Sequence, residues 1–365
     1  MKKIFTVLTS IALTFALSFS AAFANDDALM KSQNYLKTIT LDSPDAVIAY
    51  EATGMEADYK ADALLNNFKE TDYVTASYGD LAKSIIAISL LGENPKDFNN
   101  TNLVEILENR VQEDGTLTND VNGGCGATIW TLMALETVNS PKVKAVADKL
   151  STMAMDNGAY WYEYQGPNAD LDTTGWAMEA LSVAGRSIYK AAISKAYTFV
   201  QSKLNSTYGY YDNWGGNADT QSCVLEGLSV AGYTLDTNAY NYLLSYQNED
   251  GTFNALNYST GQLEPNAYAS VEGARALGVI NNGSFVLKAR QDYTKTTTPV
   301  VTEPETPTKP STTTPAVKPE TTTTEPKKET VKVVNTGDNT NVMAYVVAAI
   351  AAVGVIVLVI KSKKK

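Results

Sequence analysis

Apolar residues recur along the middle of this chain with a helical period, and whole blocks of that pattern then repeat. Residues 172–185 read DTTGWAMEALSVAG and residues 219–232 read DTQSCVLEGLSVAG, with eight of fourteen positions identical. Looser copies lie at 126–139 (GATIWTLMALETVN) and 265–278 (PNAYASVEGARALG), at offsets of 46, 47 and 46 residues. Each copy predicts one helix of about three to four turns. Asp172 or Asp219 with the Thr after it reads as an N-cap, and Gly185, Gly232 or Gly278 as a left-handed stop. Between copies lie second apolar-periodic segments at 142–155, 187–204 and 238–247, followed by loops rich in Gly, Asn, Asp and Tyr. Each repeat is therefore a helical hairpin plus a loop.

Two fainter copies, SIIAISLLG at 84–92 and AVIAYEATG at 46–54, extend the series toward the N-terminus. A helix near 281–292 would complete a sixth hairpin. Units of this period are too small to bury their apolar faces alone and must stack. An open superhelix leaves apolar end faces, whereas six hairpins close into a ring of inner and outer helices. The expected fold class is all-α, an α/α toroid of about six hairpins, followed by a disordered stalk and one transmembrane helix.

The ends carry a different pattern. Lys2 and Lys3 precede an apolar run that ends at Ala22-Phe23-Ala24, so residues 1–24 read as a signal peptide and 25–293 as the toroid domain. Residues 294–332 hold fifteen Thr and seven Pro with no Gly and no aromatic residue, the composition of an extended linker. Residues 342–360 carry no charge over nineteen positions and are followed by Lys361, Lys363, Lys364 and Lys365. That length spans roughly 28 Å as a helix, and the basic tail orients it with the repeats outside. Val333-Val334-Asn335-Thr336-Gly337-Asp338 before the span resembles the sorting signal of Gram-positive wall-anchored proteins. In that family a sortase cuts between the Thr and the Gly; here Val333 and Val334 stand where Leu-Pro is usual. Segment 333–365 is either a covalent wall anchor or a membrane tether, and both readings display the domain on the extracellular face.

Composition narrows the chemistry. The net charge of −11 and a pI near 4.7 disfavour nucleic acid or an acidic polymer as a partner. The chain has no histidine, which removes Ser-His-Asp and Cys-His catalysis and any His-containing zinc site. Cys125 and Cys223 lie in repeats that are not neighbours, so two buried free thiols are expected.

The loops read Gln112-Glu113-Asp114-Gly115-Thr116-Leu117, Asn157-Gly158-Ala159-Tyr160, Tyr208-Gly209-Tyr210 and Gln247-Asn248-Glu249-Asp250-Gly251-Thr252-Phe253. With the helices between them they resemble the repeats of the prenyltransferase and squalene-cyclase superfamily, whose fold is an α/α toroid. The last loop matches that family's Q-x-x-x-G-x-[W/F] signature in full. The resemblance covers roughly residues 58–278 and implies fold more than function, because the family holds cyclases, prenyltransferases, complement-type domains and cobalamin carriers. The carriers add a second, smaller β domain where this chain has a stalk, and no cofactor is expected.

Asp170-Leu171-Asp172-Thr173-Thr174 resembles the D-x-D-D acid motif of class II terpene cyclases, with Asp172 as donor, Asp170 as its neighbour and Thr173 in place of the last Asp. The alternative is a cap, since Asp219 repeats Asp172. Asn168, Asp170, Asp172 and Glu179 mimic calcium-loop spacing, although Thr173 occupies the glycine position and Glu179 recurs as Glu226 and Glu272. Aromatic residues crowd two loops. Tyr160 and Tyr210 read as wedges between hairpins, whereas Trp161, Tyr162, Tyr164, Tyr211 and Trp214, with Trp176 on the following helix, form a candidate ligand rim suited to a glycan. Two functions follow. The favoured one is a non-catalytic surface binding or adhesion module for a glycan, small molecule or protein. The other is a surface enzyme, terpene-cyclase-like or glycan-cleaving, working through Asp170 and Asp172.

Overall fold

The structure, a computed structural model, describes residues 26–57, 62–120, 123–162, 167–211, 217–257 and 259–297. The signal segment, the stalk beyond Thr297 and the anchor with Thr336 and Gly337 lie outside the described residues, as do Tyr164 and Trp214. No helix among the described residues is long and apolar enough to cross a membrane.

Helices alternate between two rings. The inner ring is α2 (Pro44–Ala52), α4 (Tyr78–Leu90), α6 (Cys125–Thr137), α8 (Leu171–Gly185), α10 (Ala218–Val230) and α12 (Ala267–Asn282). The outer helices are α1 (Asp26–Thr38), α3 (Asp62–Glu70), α5 (Leu103–Asn109), α7 (Val143–Thr152), α9 (Lys190–Ser202) and α11 (Thr237–Leu244). Each inner helix packs on the next and α12 packs on α2, so the toroid closes. Asn282 fastens that closure, donating from Nδ2 to the Ala52 carbonyl at 2.9 Å.

Sequence pattern explains which ring each helix joins. Every residue of α6 is buried, as a helix without a polar stripe must be. The outer α7 buries one face, Val146, Ala147 and Leu150.

Three features differ from the sequence reading. First, the sixth outer helix is α1 at the N-terminus. Gln247 donates from Nε2 to the Ala28 carbonyl at 2.9 Å and to Ser32 Oγ at 2.9 Å, while Gly251, at φ +86°, lies so close to the Lys31 carbonyl that a Cβ would sit 2.1 Å from it. Gly115 and Gly158 approach the carbonyls of Ala145 in α7 and Lys195 in α9 in the same way. The loop signature thus docks each outer helix on the next, and α1 accepts the last dock. Second, the final helix α13 (Phe285–Thr297) is no outer helix. It packs against α2, α4 and α6 and crosses the ring at the inner helices' C-terminal ends, with Lys288 on Glu51 at 2.6 Å and Arg290 on Glu136 at 2.8 Å. Its Phe285 is buried inside the ring against Trp130. Third, an antiparallel hairpin of β1 (Phe253–Asn257) and β2 (Gln262–Asn266), pairing Phe253 with Asn266, leads into α12.

Candidate functional site

α13 fills one end of the ring, and the N-termini of the inner helices lie at the other. The caps there are not the expected residues. Asp170 caps α8, accepting from the Thr173 amide at 2.7 Å, and Asn217 caps α10, accepting from the Thr220 amide at 2.8 Å. Ser43, Ser77 and Asn266 cap α2, α4 and α12. The expectation that Asp172 and Asp219 are caps is therefore corrected: each sits two residues inside its helix, because the cap needs extended backbone and a short acceptor before the first turn.

Counting from the caps arranges the ring lining in layers. The outermost holds Asp45, Gly79, Gly126, Asp172, Asp219 and Tyr268. One turn deeper come Lys83 in α4, Trp130 in α6, Trp176 in α8, Cys223 in α10 and Glu272 in α12, and about another turn down Glu179, Glu226 and Arg275. The last repeat enters its helix three residues later than its sequence alignment suggests. Arg275, not Glu272, therefore shares the layer of Glu179 and Glu226.

Short contacts tie these layers together. Cys223 Sγ lies 3.9 Å from Asp219 Oδ1 and 3.7 Å from Glu272 Oε2. Arg275 Nε meets Glu226 at 3.0 Å, and its Nη1 donates to Glu272 at 2.8 Å. Lys83 Nζ is 2.8 Å from Asp45 and 4.5 Å from the centre of the Trp130 ring. Trp130 and Trp176 lie 5.7 Å apart, and the buried Trp176 Nε1 has no hydrogen-bond partner.

Electrostatics set the protonation states. Burial, then the charge of Glu272, push the Asp219 carboxyl up to about 8, with Arg275 opposing. Glu179 is held protonated well above the usual carboxylate range by burial and by Glu226 beside it; Ser284 donates to its Oε1 at 3.0 Å. Burial, then Asp219, Asp172 and Glu272, push the Cys223 thiol well above its usual range, so it is no nucleophile. Cys125 is raised to about 12 by burial. Both cysteines are free and buried.

Among the described residues, those expected to form the aromatic rim are dispersed. Tyr160 and Tyr210 are buried wedges. Tyr211 turns outward, its hydroxyl 2.8 Å from that of Tyr242 on outer helix α11. Trp161 is half-buried and uses its carbonyl to accept from the Cys125 amide at 3.1 Å. Tyr162 is exposed and lines a cleft at the mouth, and Trp176 lines the ring interior. The calcium-like set is also spread out. Asn168 is exposed, Asp170 is the cap, and Glu179 lies about 10 Å further along the helix than Asp172. Among the described residues, the group that converges is Asp219, Cys223 and Glu272.

No family model matches the sequence, and no curated protein matches it. Solved structures similar in fold include the following three. A protein from Actinoplanes has a TM-score of 0.45 and 13% identity over 70% of this chain and 90% of its own. Unsaturated glucuronyl hydrolase from Bacillus sp. GL1, responsible for the degradation of glycosaminoglycan, has a TM-score of 0.48 and 13% identity over 72% of this chain and 97% of its own. A structure described as UGL with dGlcA-Glc-Rha-Glc has a TM-score of 0.47 and 12% identity, with coverage of 72% and 97%.

The favoured expectation of a non-catalytic module on an aromatic rim is corrected. Among the described residues, the rim aromatics part company while Asp219 and Glu272 converge on Cys223.

Proposed function

We propose that this protein is a carboxylate-dependent enzyme that cleaves glycans in the open mouth of its ring. The observation that carries the reading is that Asp172 and Asp219, relieved of capping by Asp170 and Asn217, occupy the first turns of adjacent inner helices and both act on the Cys223 thiol. Glycosidic cleavage needs one carboxyl to protonate the leaving oxygen and one carboxylate to act as base or nucleophile. Asp219, with its carboxyl near 8, is the acid at neutral pH, and Asp172 is the carboxylate. Trp130 and Trp176 lie buried below these carboxylates and form the apolar floor of the site.

The terpene-cyclase alternative fits less well. Its substrate needs a deep apolar chamber, whereas this ring is filled below the mouth by Phe285, Arg275, Glu179 and Glu226, all buried. Surface display belongs to the same proposal and rests on the sequence of residues 1–24 and 333–365.

The test is reducing-end release from neutral oligosaccharides by the full-length protein. Asp219→Asn and Asp172→Asn should each lower kcat by about 100-fold or more with little change in KM, the usual scale of one acid or base. Wild-type protein that releases nothing from any glycan would remove the enzyme reading.

A further inference from the structure

Counted from their caps, the six inner helices place one residue each on the outermost layer, and the order around the ring is Asp45, Gly79, Gly126, Asp172, Asp219 and Tyr268. Tyr268 is the one large side chain of the six, and it stands next to Asp219 on the side away from Asp172. Gly79 and Gly126, on the far side of the layer, contribute no side chain. Tyr268 is 51% exposed, whereas Leu277, Val279 and Ile280 of the same helix are buried. Below it lies the acid cluster. Glu272 follows by four residues, one turn down the same face of α12, and Cys223 Sγ lies 3.7 Å from Glu272 and 3.9 Å from Asp219. The charge of Glu272, then burial, then the charge of Asp219 raise the Tyr268 hydroxyl far above its usual range. It stays a neutral phenol turned toward the cluster, and the exposure falls on the ring. The first turn of α12 is held in place by the β1–β2 hairpin. The Asn266 cap accepts from the Ala269 amide at 2.9 Å. Ser270 Oγ donates to the Asn266 carbonyl at 2.6 Å and accepts from the Phe253 amide at 2.8 Å. Phe253 packs over Gly273, where a Cβ would sit 2.8 Å from its ring. The hairpin thus fixes the register at which α12 enters the ring, and with it the place of Tyr268.

We infer that Tyr268 is a substrate-contacting residue of the site proposed above, an aromatic platform for the sugar on the leaving-group side of the scissile bond. The order Asp172, Asp219, Tyr268 carries the assignment. The carboxylate works at the anomeric carbon and the acid protonates the bridging oxygen, so the position beyond the acid receives the sugar that departs. A pyranose presents an apolar C–H face, and a tyrosine ring matches it with an apolar face and a polar tip. The inference rests on the glycan-cleaving reading, and its experiment separates the two. Full-length Asp219→Asn protein, in which cleavage is blocked, is titrated calorimetrically with tetrasaccharides of β-1,4-linked glucose, N-acetylglucosamine and galacturonate, alone and with Tyr268→Ala or Tyr268→Phe added. For the tetrasaccharide that binds, Tyr268→Ala should weaken affinity by about tenfold, the scale of one lost aromatic contact, while Tyr268→Phe, which keeps the ring, should stay close to the parent. With Asp219 intact, Tyr268→Ala should lower kcat/KM on that oligosaccharide by about tenfold. It should leave hydrolysis of the corresponding glycosyl fluoride unchanged, because fluoride is too small to use a platform. Thermal unfolding checks that both variants fold. Unchanged affinity in Tyr268→Ala, equal losses in the two variants, an equal loss on the glycosyl fluoride, or no binding of any tetrasaccharide would overturn the inference. Cleavage that ignores Tyr268 would remove the platform and keep the catalytic reading. Binding that depends on the Tyr268 ring, in a wild type that cleaves nothing, would keep Tyr268 as the sugar contact and remove the catalytic reading.

Discussion

At the residue scale, capping and, in the proposed function, chemistry are divided between neighbours that look interchangeable in sequence. Asp170 holds the α8 amides while Asp172 faces the ring lining, so Asp170→Ala should cost about 1 kcal/mol in urea unfolding. Asp172→Asn should cost little stability and most of the turnover. Asp219 adds a pH signature. Its carboxyl moves from the ordinary 3.8 to about 8 on folding, so between those values the unfolded chain releases a proton that the native chain keeps. Stability contributed by this site is therefore full in acid and falls as pH rises through that window. Asp219→Asn should flatten that part of the curve, which thermal unfolding from pH 4 to 8 will show; an unchanged slope would refute the shift. Sequence made Asp170 and Asp172 legible because the motif is local. Asp219 was read as a cap because it repeats Asp172, and repetition was taken as structure when it marks a shared position on the ring lining. Trp130 carried a usable signal, standing at the repeat position of Trp176. Lys83 and Asp45 stand just before the two fainter copies, 84–92 and 46–54, where the repeat pattern gives out, and Glu272 was misplaced by the later helix start in the last repeat.

At the element scale, the loop signature acts as a dock for the next outer helix, and its last copy receives α1 across more than two hundred residues of sequence. Gly251→Ala combines a positive φ with a backbone clash at Lys31, so it should destabilise by more than about 1 kcal/mol. Hydrogen exchange in α1 should rise with it, and unaltered protection there would contradict the docking account. The inner helices and α7, α9 and α11 were legible from their apolar periods. The roles of α1 and α13 were not, because a helix's own pattern gives its buried face and not the partner that covers it. The hairpin before α12 escaped for a related reason: its strands are short and mostly exposed, without the alternation that marks a half-buried strand.

At the scale of the whole molecule, closure was the more economical reading of six repeats, since an open stack needs capped ends, and the packing of α12 on α2 is what establishes it. What fills the ring was not, because it depends on side chains meeting across it. Arg275 is wholly buried with Glu226 and Glu272, and removing one partner of such a network leaves uncompensated charge. Arg275→Met should therefore cost about 3–5 kcal/mol, far more than loss of the exposed Lys144–Asp148 pair, as denaturant titration of both variants will show. That buried network and the α13 plug make the far end of the ring structural and leave the mouth for chemistry. The most direct test of this account is the pH–rate profile for neutral oligosaccharide cleavage by the full-length protein. An alkaline limb near pH 8 that disappears with most of kcat in Asp219→Asn is the predicted result. A profile unchanged by Asp219→Asn, or turnover that survives it, would contradict the assignment of Asp219 as the acid.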